Sequence, residues 1–152
     1  MGLDTLLAAL HHLCVFGLFV IIAAEMVLVR PGLTAETVMR IVRIDLFYGI
    51  FAGIALVAGG LRVVYGTKRA AFYTDNPVFW TKLGLFVLIA ILSIPPTIDY
   101  IRWRNALRAN PAVLPTAGAI RATRKRIHIQ FGLLFLLPIL AAMMARGIGL
   151  GT

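Results

Sequence analysis

The sequence predicts an all-α integral membrane protein, a four-helix bundle folded as a single transmembrane domain over residues 1–152. Three observations point there. Apolar residues make up 61% of the chain and charged residues 14%, where a soluble domain carries roughly half and a quarter. Four runs are apolar over about 20 positions, the length that crosses a bilayer as a helix. Basic residues outnumber acidic ones 15 to 6, and they are shared unevenly between the loops.

The four spans are expected at about 5–29, 44–64, 78–98 and 127–145. They are too long, and alternate too little, for barrel strands. Helices satisfy their own backbone groups in hydrocarbon. The first span reads as a retained helix, because Asp4 stands where a cleavable signal would carry a basic residue and the apolar run is too long for one. Pro31-Gly32 ends it. Thr34 can cap the next helix, with Glu36 and Arg40 spaced for an i,i+4 pair, and that helix runs on into span two. Asn76-Pro77 opens span three, which should continue past the membrane because Arg104 and Arg108 share a face. These are short amphipathic cytoplasmic extensions. Pro111, Pro115 and Gly118 then break the chain before span four. Pro95-Pro96 and Pro138 should bend their helices.

The arginines and lysines set the orientation. Ten lie in or beside the loops after spans one and three, and five lie near the other side. The side with ten is read as cytoplasmic, which gives an N-out/C-out protein of the bacterial inner membrane with both termini periplasmic. The net charge of +9 is this asymmetry, and no base-reading module accompanies it. We therefore expect no nucleic acid, and contact with anionic lipid instead. High hydrophobicity excludes disorder. A single cysteine, Cys14, excludes an internal disulfide, a Cys-rich zinc site and a CxxCH haem attachment. It reads as a buried small hydrophobe.

Ionisable groups inside a span are costly and mark function by default. Here they are His11, His12, Glu25, Asp45, Arg62, Lys82 and His128. His12 and Lys82 fall in the outer half of spans one and three, at nearly one depth. Arg62 and Tyr65 lie above them, at the outer end of span two. Neighbours on a helix point about 100° apart, so one of His11 and His12 should face this site, and His12 is the expected ligand. Lys82 either snorkels outward beside Trp80 or turns inward as a second ligand or proton-transfer group. Imidazole suits haem iron, and a b-type haem between helices needs an axial His and cations near its propionates. The Gly49, Gly53 and Gly60 stripe could leave room for a macrocycle or serve helix packing.

At the other end, Glu25, Arg30, Arg43 and Asp45 either form an ion network or, lying close to helix ends, simply snorkel or pair. Asp4, His11, Leu18 and Glu25 recur every seven residues and share a face that should point into the bundle. His128 lies roughly 20 Å from His12 in depth, so the two cannot clamp one iron, and His128 reads as interfacial.

Leu10-His11-His12, then Gly59-Gly60-Leu61, then Trp80-Thr81-Lys82-Leu83 resemble the HemJ-type protoporphyrinogen oxidases, small four-helix membrane proteins. Asn76-Pro77-Val78-Phe79 and Met144-Ala145-Arg146-Gly147 are similar to an uncharacterised family of predicted bacterial membrane proteins of this length. The HemJ-type resemblance implies haem b, an essential His at His12 (or His11), an essential Lys at Lys82, a porphyrin substrate and quinone as onward acceptor.

The first functional expectation is thus a haem-b membrane protein with a redox role, an oxidoreductase acting in the manner of protoporphyrinogen IX oxidation. His12 would ligate iron, with Lys82 catalytic, and Arg62 would pair with propionates. The alternatives are a small transporter or channel subunit working through Glu25, Asp45, Lys82 and the His pair, or a membrane assembly protein without a cofactor. A chain of this size is expected to work as a homo-oligomer.

Overall fold

A computed structural model describes residues 2–149. Among them, four helices are long and apolar enough to cross a membrane: Leu3–Leu28, Ala35–Tyr65, Pro77–Ala109 and Ala117–Ala145. We number the helices α1 (Leu3–Leu28), α2 (Ala35–Tyr65), α3 (Ala70–Thr74), α4 (Pro77–Ala109), α5 (Ala117–Leu134) and α6 (Leu136–Ala145). The result is an all-α, membrane-spanning four-helix bundle.

Capping explains most of the boundaries. Thr34 accepts a hydrogen bond from the Thr37 N–H and starts α2, which then runs unbroken to Tyr65. Glu36 and Arg40 pair along its first turns. Gly32 turns the preceding chain with φ of 85°, a conformation that glycine adopts without strain. Asn76 accepts from the Val78 N–H at 2.9 Å and starts α4, with Pro77 in the first turn. Asn76 is fully buried and also donates to the Ile148 carbonyl, which ties the start of α4 to the C-terminal segment. The helical turn α3 fills the loop before it.

The prolines behave differently from one another. α4 continues through Pro95 and Pro96. The fourth span breaks at Phe135, three residues before Pro138. A proline has no N–H and its ring crowds the carbonyl four residues back, here that of Leu134. That is where α5 stops and α6 restarts.

Each long helix packs on two neighbours, in the ring order α1, α2, α4, α5–α6. The pairs α1/α4 and α2/α5 face each other across the diagonals. The interior is built from Leu18, Ile22, Ile41, Ile89, Ile127 and Leu134, all nearly or fully buried. Cys14 joins it as a small hydrophobe, 4% exposed. Long apolar side chains such as Leu13, Phe16, Val20, Val57 and Ile91 point outward. In a bilayer they meet lipid, which is the reverse of a soluble bundle's economy.

Candidate functional site

Two polar groups sit in the bundle, one toward the end that holds the chain termini and one toward the opposite end. Helix α1 contributes to both through its seven-residue stripe. Asp4 and His11 are half-buried, and Leu18 and Glu25 are buried. The inward face is therefore the one that the spacing predicts. Glu25 lies 14 residues after His11, about 21 Å along the helix.

At the termini end, His11 turns inward and its Nδ1 donates to the Ala55 carbonyl of α2 at 2.7 Å. In a neutral imidazole this leaves the Nε2 lone pair free. Gly59 makes the approach possible, because a Cβ there would lie 3.2 Å from the His11 ring. His12 is exposed and bonds only to the Ala8 carbonyl of its own helix. The inward imidazole is thus His11 and not His12. The reason is the stripe itself, since His12 stands about 100° away from it.

Lys82 is half-buried and within electrostatic reach of His11 and Arg62. It therefore turns toward the bundle and does not snorkel outward. Arg62 donates through Nε to Asp4 at 3.2 Å, and Thr67 donates to the other oxygen of Asp4 at 3.0 Å. Asp4 was not among the expected site residues, yet it is the acid that holds Arg62. Tyr65 is 63% exposed and points out of the bundle, away from the group it was expected to join. Lys68 lies over the Phe72 ring, 3.7 Å from its centroid.

At the opposite end, Glu25, Arg30, Arg43 and Asp45 form no ion network among the described residues. The ion pairs among the described residues are Glu36–Arg40, Asp4–Arg62 and Asp99–Arg126. Arg30 and Arg43 are exposed, whereas Glu25 is buried and Asp45 half-buried. Helix geometry explains this, because residues two apart, as Arg43 and Asp45 are, point about 200° from each other.

The two carboxylates are met instead by uncharged polar groups. Tyr100 Oη donates to Glu25 Oε2 at 3.2 Å. Thr97 donates to Asp45 Oδ1 at 2.9 Å. Gln130 Nε2 donates to Tyr48 Oη at 3.0 Å, and Tyr48 lies within electrostatic reach of both carboxylates. Glu25 is 4% exposed, and its Oε1 is buried with no hydrogen-bond partner. Below this group, Arg124 donates to the Met26 and Val29 carbonyls at 3.2 and 2.8 Å and closes the end of α1. His128 is exposed and bonds only to the Arg124 carbonyl of its own helix.

Between the two polar ends lies a partly open cavity of about 220 Å³, bounded by Leu18, Tyr48, Gly49, Ala52, Phe86, Ser93 and neighbours. A second, open groove of about 370 Å³ runs outside along Leu7, Leu10, Gly49, Gly53, Val57 and Leu61. A Cβ at Gly49, Gly53 or Gly60 would touch nothing within 4 Å. The glycine stripe is therefore not a helix contact within the chain.

This is the architecture of a multi-span membrane protein with ionisable groups at both ends of its core. A family model for predicted membrane proteins of unknown function, DUF2214, matches residues 3–149. The chain belongs to the DUF2214 family. No curated protein and no solved structure matches it. For a DUF2214 protein the question of function thus rests on the residues. Among the described residues there is no group of three or more His, Cys, Asp or Glu side chains placed to hold a metal ion.

The fit of a haem is mixed. His11 offers a free Nε2 of fixed tautomer, and Lys82 lies near it. The partly open cavity, at about 220 Å³, is smaller than the roughly 300 Å³ at which pockets begin to enclose a drug-sized ligand. The larger outer groove is lined by apolar residues and glycines and holds neither His11 nor Lys82. The donors are present, and neither of these two cavities is lined by His11 or Lys82.

Proposed function

We propose that this DUF2214 protein is a small transporter or channel subunit that handles a monovalent cation within the membrane. One observation carries the reading. Glu25 and Asp45 lie inside the bundle in no ion pair found among the described residues, and Glu25 keeps an unpartnered oxygen. Unpaired buried charge is expensive, and the neutralising partner must then come from outside the chain. A cavity lined by Tyr48 and Ser93 lies between this pair and the level of His11 and Lys82, and none of these four ionisable residues lines it. A polar foot, a cavity and an ionisable head are the parts such a pathway needs.

The reading keeps the bundle in the bacterial inner membrane, with the termini on the periplasmic side, as the arginine distribution predicts. It also keeps a homo-oligomeric assembly, for which the open groove along Gly49 and Gly53 is a natural packing face. The test is cation flux into liposomes that contain the purified protein, measured with a pH-sensitive and a Na⁺-sensitive dye. Flux lost in Glu25→Gln supports the reading. No flux above empty liposomes under any gradient overturns it.

A second reading has one specific observation in its favour. The 2.7 Å hydrogen bond from His11 Nδ1 to the Ala55 carbonyl orients the ring as the outer partners of metal-bound histidines do. On that reading His11 is the axial ligand of a b-type haem, with Lys82 beside it, as the resemblance to HemJ-type oxidases implies for porphyrin and quinone chemistry. Haem would supply one-electron transfer. An absorption spectrum of the purified protein, oxidised and dithionite-reduced, decides it. A Soret band lost in His11→Ala and kept in His12→Ala supports haem. A flat visible spectrum from cells with ample haem removes it.

A further inference from the structure

We propose that Glu25 and Asp45 together bind one exchangeable proton, with Glu25 Oε1 as its open acceptor, and that the site takes the proton in preference to Na⁺. This rests on the cation reading above and names its ion.

The elements packed around Glu25 bring it hydroxyls and a second acid. Helix α2 presents Asp45 and the Tyr48 hydroxyl. Helix α4 presents Tyr100, with Asp99 beyond it. Asp99 is itself paired with Arg126 and bonded by Thr123. Helix α5 presents Gln130 through Tyr48, and Arg124, whose Nη1 is engaged by the Met26 and Val29 carbonyls. No cationic side chain bonds to either carboxylate among the described residues. Two anions within electrostatic reach of each other and without a counter-charge would repel and lack solvation. One proton leaves the pair with a single negative charge, which the Tyr100 and Thr97 hydroxyls can stabilise.

The second observation is the orphaned oxygen. Glu25 is 96% buried, the complement of its 4% exposure, and its Oε1 has no partner. Buried polar atoms are nearly always satisfied, so a lone one points to a ligand or a proton that arrives from outside. Tyr48 Oη is bonded to Gln130 and lies within electrostatic reach of Glu25. The open carboxylate oxygen and the Tyr48 hydroxyl therefore belong to one buried cluster, and Tyr48 also lines the cavity beside it.

The choice of ion follows from the direction of the hydrogen bonds. A metal cation needs several oxygen lone pairs converging on one point. Here the Tyr100 and Thr97 hydroxyls aim their hydrogens at the carboxylates, and Gln130 aims an N–H at Tyr48. Such a shell suits a carboxylate and its acid, and it offers Na⁺ no converging set of lone pairs.

The protein carries its own reporter. Trp103 meets the Tyr100 ring edge-on, with centroids 5.6 Å apart, and Tyr100 is bonded to Glu25. The other tryptophan, Trp80, lies at the far end of α4, so Trp80→Phe isolates the signal. The experiment is Trp103 fluorescence of the detergent-purified full chain against pH, in matched NaCl and KCl. The expected result is a single sigmoidal transition, identical in both salts and absent in Glu25→Gln. Tyr100→Phe should move its midpoint and serves as a second variant should Glu25→Gln fold poorly. A midpoint that shifts with Na⁺ at constant ionic strength overturns the choice of proton. A flat profile, or one unchanged in both variants, overturns the site. Fluorescence needs no transport, so a transition without flux in liposomes would keep the proton site and reject the transporter.

Discussion

Tyr100 and Glu25 meet across the diagonal of the bundle, hydroxyl to carboxylate, 3.2 Å apart. The other diagonal is bridged at Gln130 and Tyr48, 3.0 Å apart. Helices α1 and α4, like α2 and α5, do not otherwise pack on each other. Two crossed hydrogen bonds therefore tie all four long helices at one level. Hydrocarbon supplies no hydrophobic drive between helices, so such side-chain bonds and close packing carry more of the specificity than in a soluble bundle.

Breaking the second bridge should cost stability in a measurable way. Tyr48→Phe keeps the ring and removes the acceptor of Gln130. A double-mutant cycle of Tyr48→Phe with Gln130→Ala, read from thermal melts in detergent, should give a coupling of about 0.6–2 kcal/mol. A coupling indistinguishable from zero would mean that the bond is satisfied equally well elsewhere.

Gly17 is required for space. A Cβ there would lie within 3 Å of the Phe51 ring edge. Gly17→Ala should cost about 1–3 kcal/mol, the usual range for overpacking. Phe51→Leu in the same chain should recover much of it. Full stability of Gly17→Ala alone would show that Phe51 moves aside freely.

Arg124 holds the end of α1 through two backbone carbonyls. Arg124→Ala should lower the melting temperature, at about 1.5–3 kcal/mol for charge-assisted bonds. Arg124→Lys should restore part of that. Protease cleavage in the loop after α1 should rise in the alanine variant. An unchanged melt and unchanged cleavage would remove Arg124 from this role.

The two adjacent histidines should separate cleanly. His12→Ala should change stability by less than about 0.5 kcal/mol, as exposed substitutions do. His11→Ala gives up the bond to Ala55 and should cost about 1 kcal/mol. Carbethoxylation of the native protein should label His12 faster than His11. The reverse order would turn α1 by one residue and move Glu25 off the core.

Much of the architecture is legible in the residues alone. Apolar runs of bilayer length place four spans. Thr34, Asn76 and Pro31-Gly32 mark boundaries because caps and turns are local chemistry. The seven-residue stripe through Asp4, His11, Leu18 and Glu25 points the correct face of α1 inward, and it selects His11. The preference for His12 at the ligand position set that periodicity aside.

The partners of those residues are a different matter. Glu25 is bonded to a tyrosine 75 positions away, and Asp45 to a threonine 52 positions away. Arg30 and Arg43, close in sequence and opposite in charge, face away. Tyr48, Tyr100 and Gln130 carry no formal charge, so a search for ionisable residues in the spans passes over them. Asking for every polar residue there would have found them. Helical periodicity determines which face of a helix is polar. How two helices rotate and slide against each other is set by packing between residues distant in sequence. That tertiary choice left the glycine stripe open, paired Arg62 with Asp4, and placed two carboxylates inside the bundle with no cationic partner among the described residues.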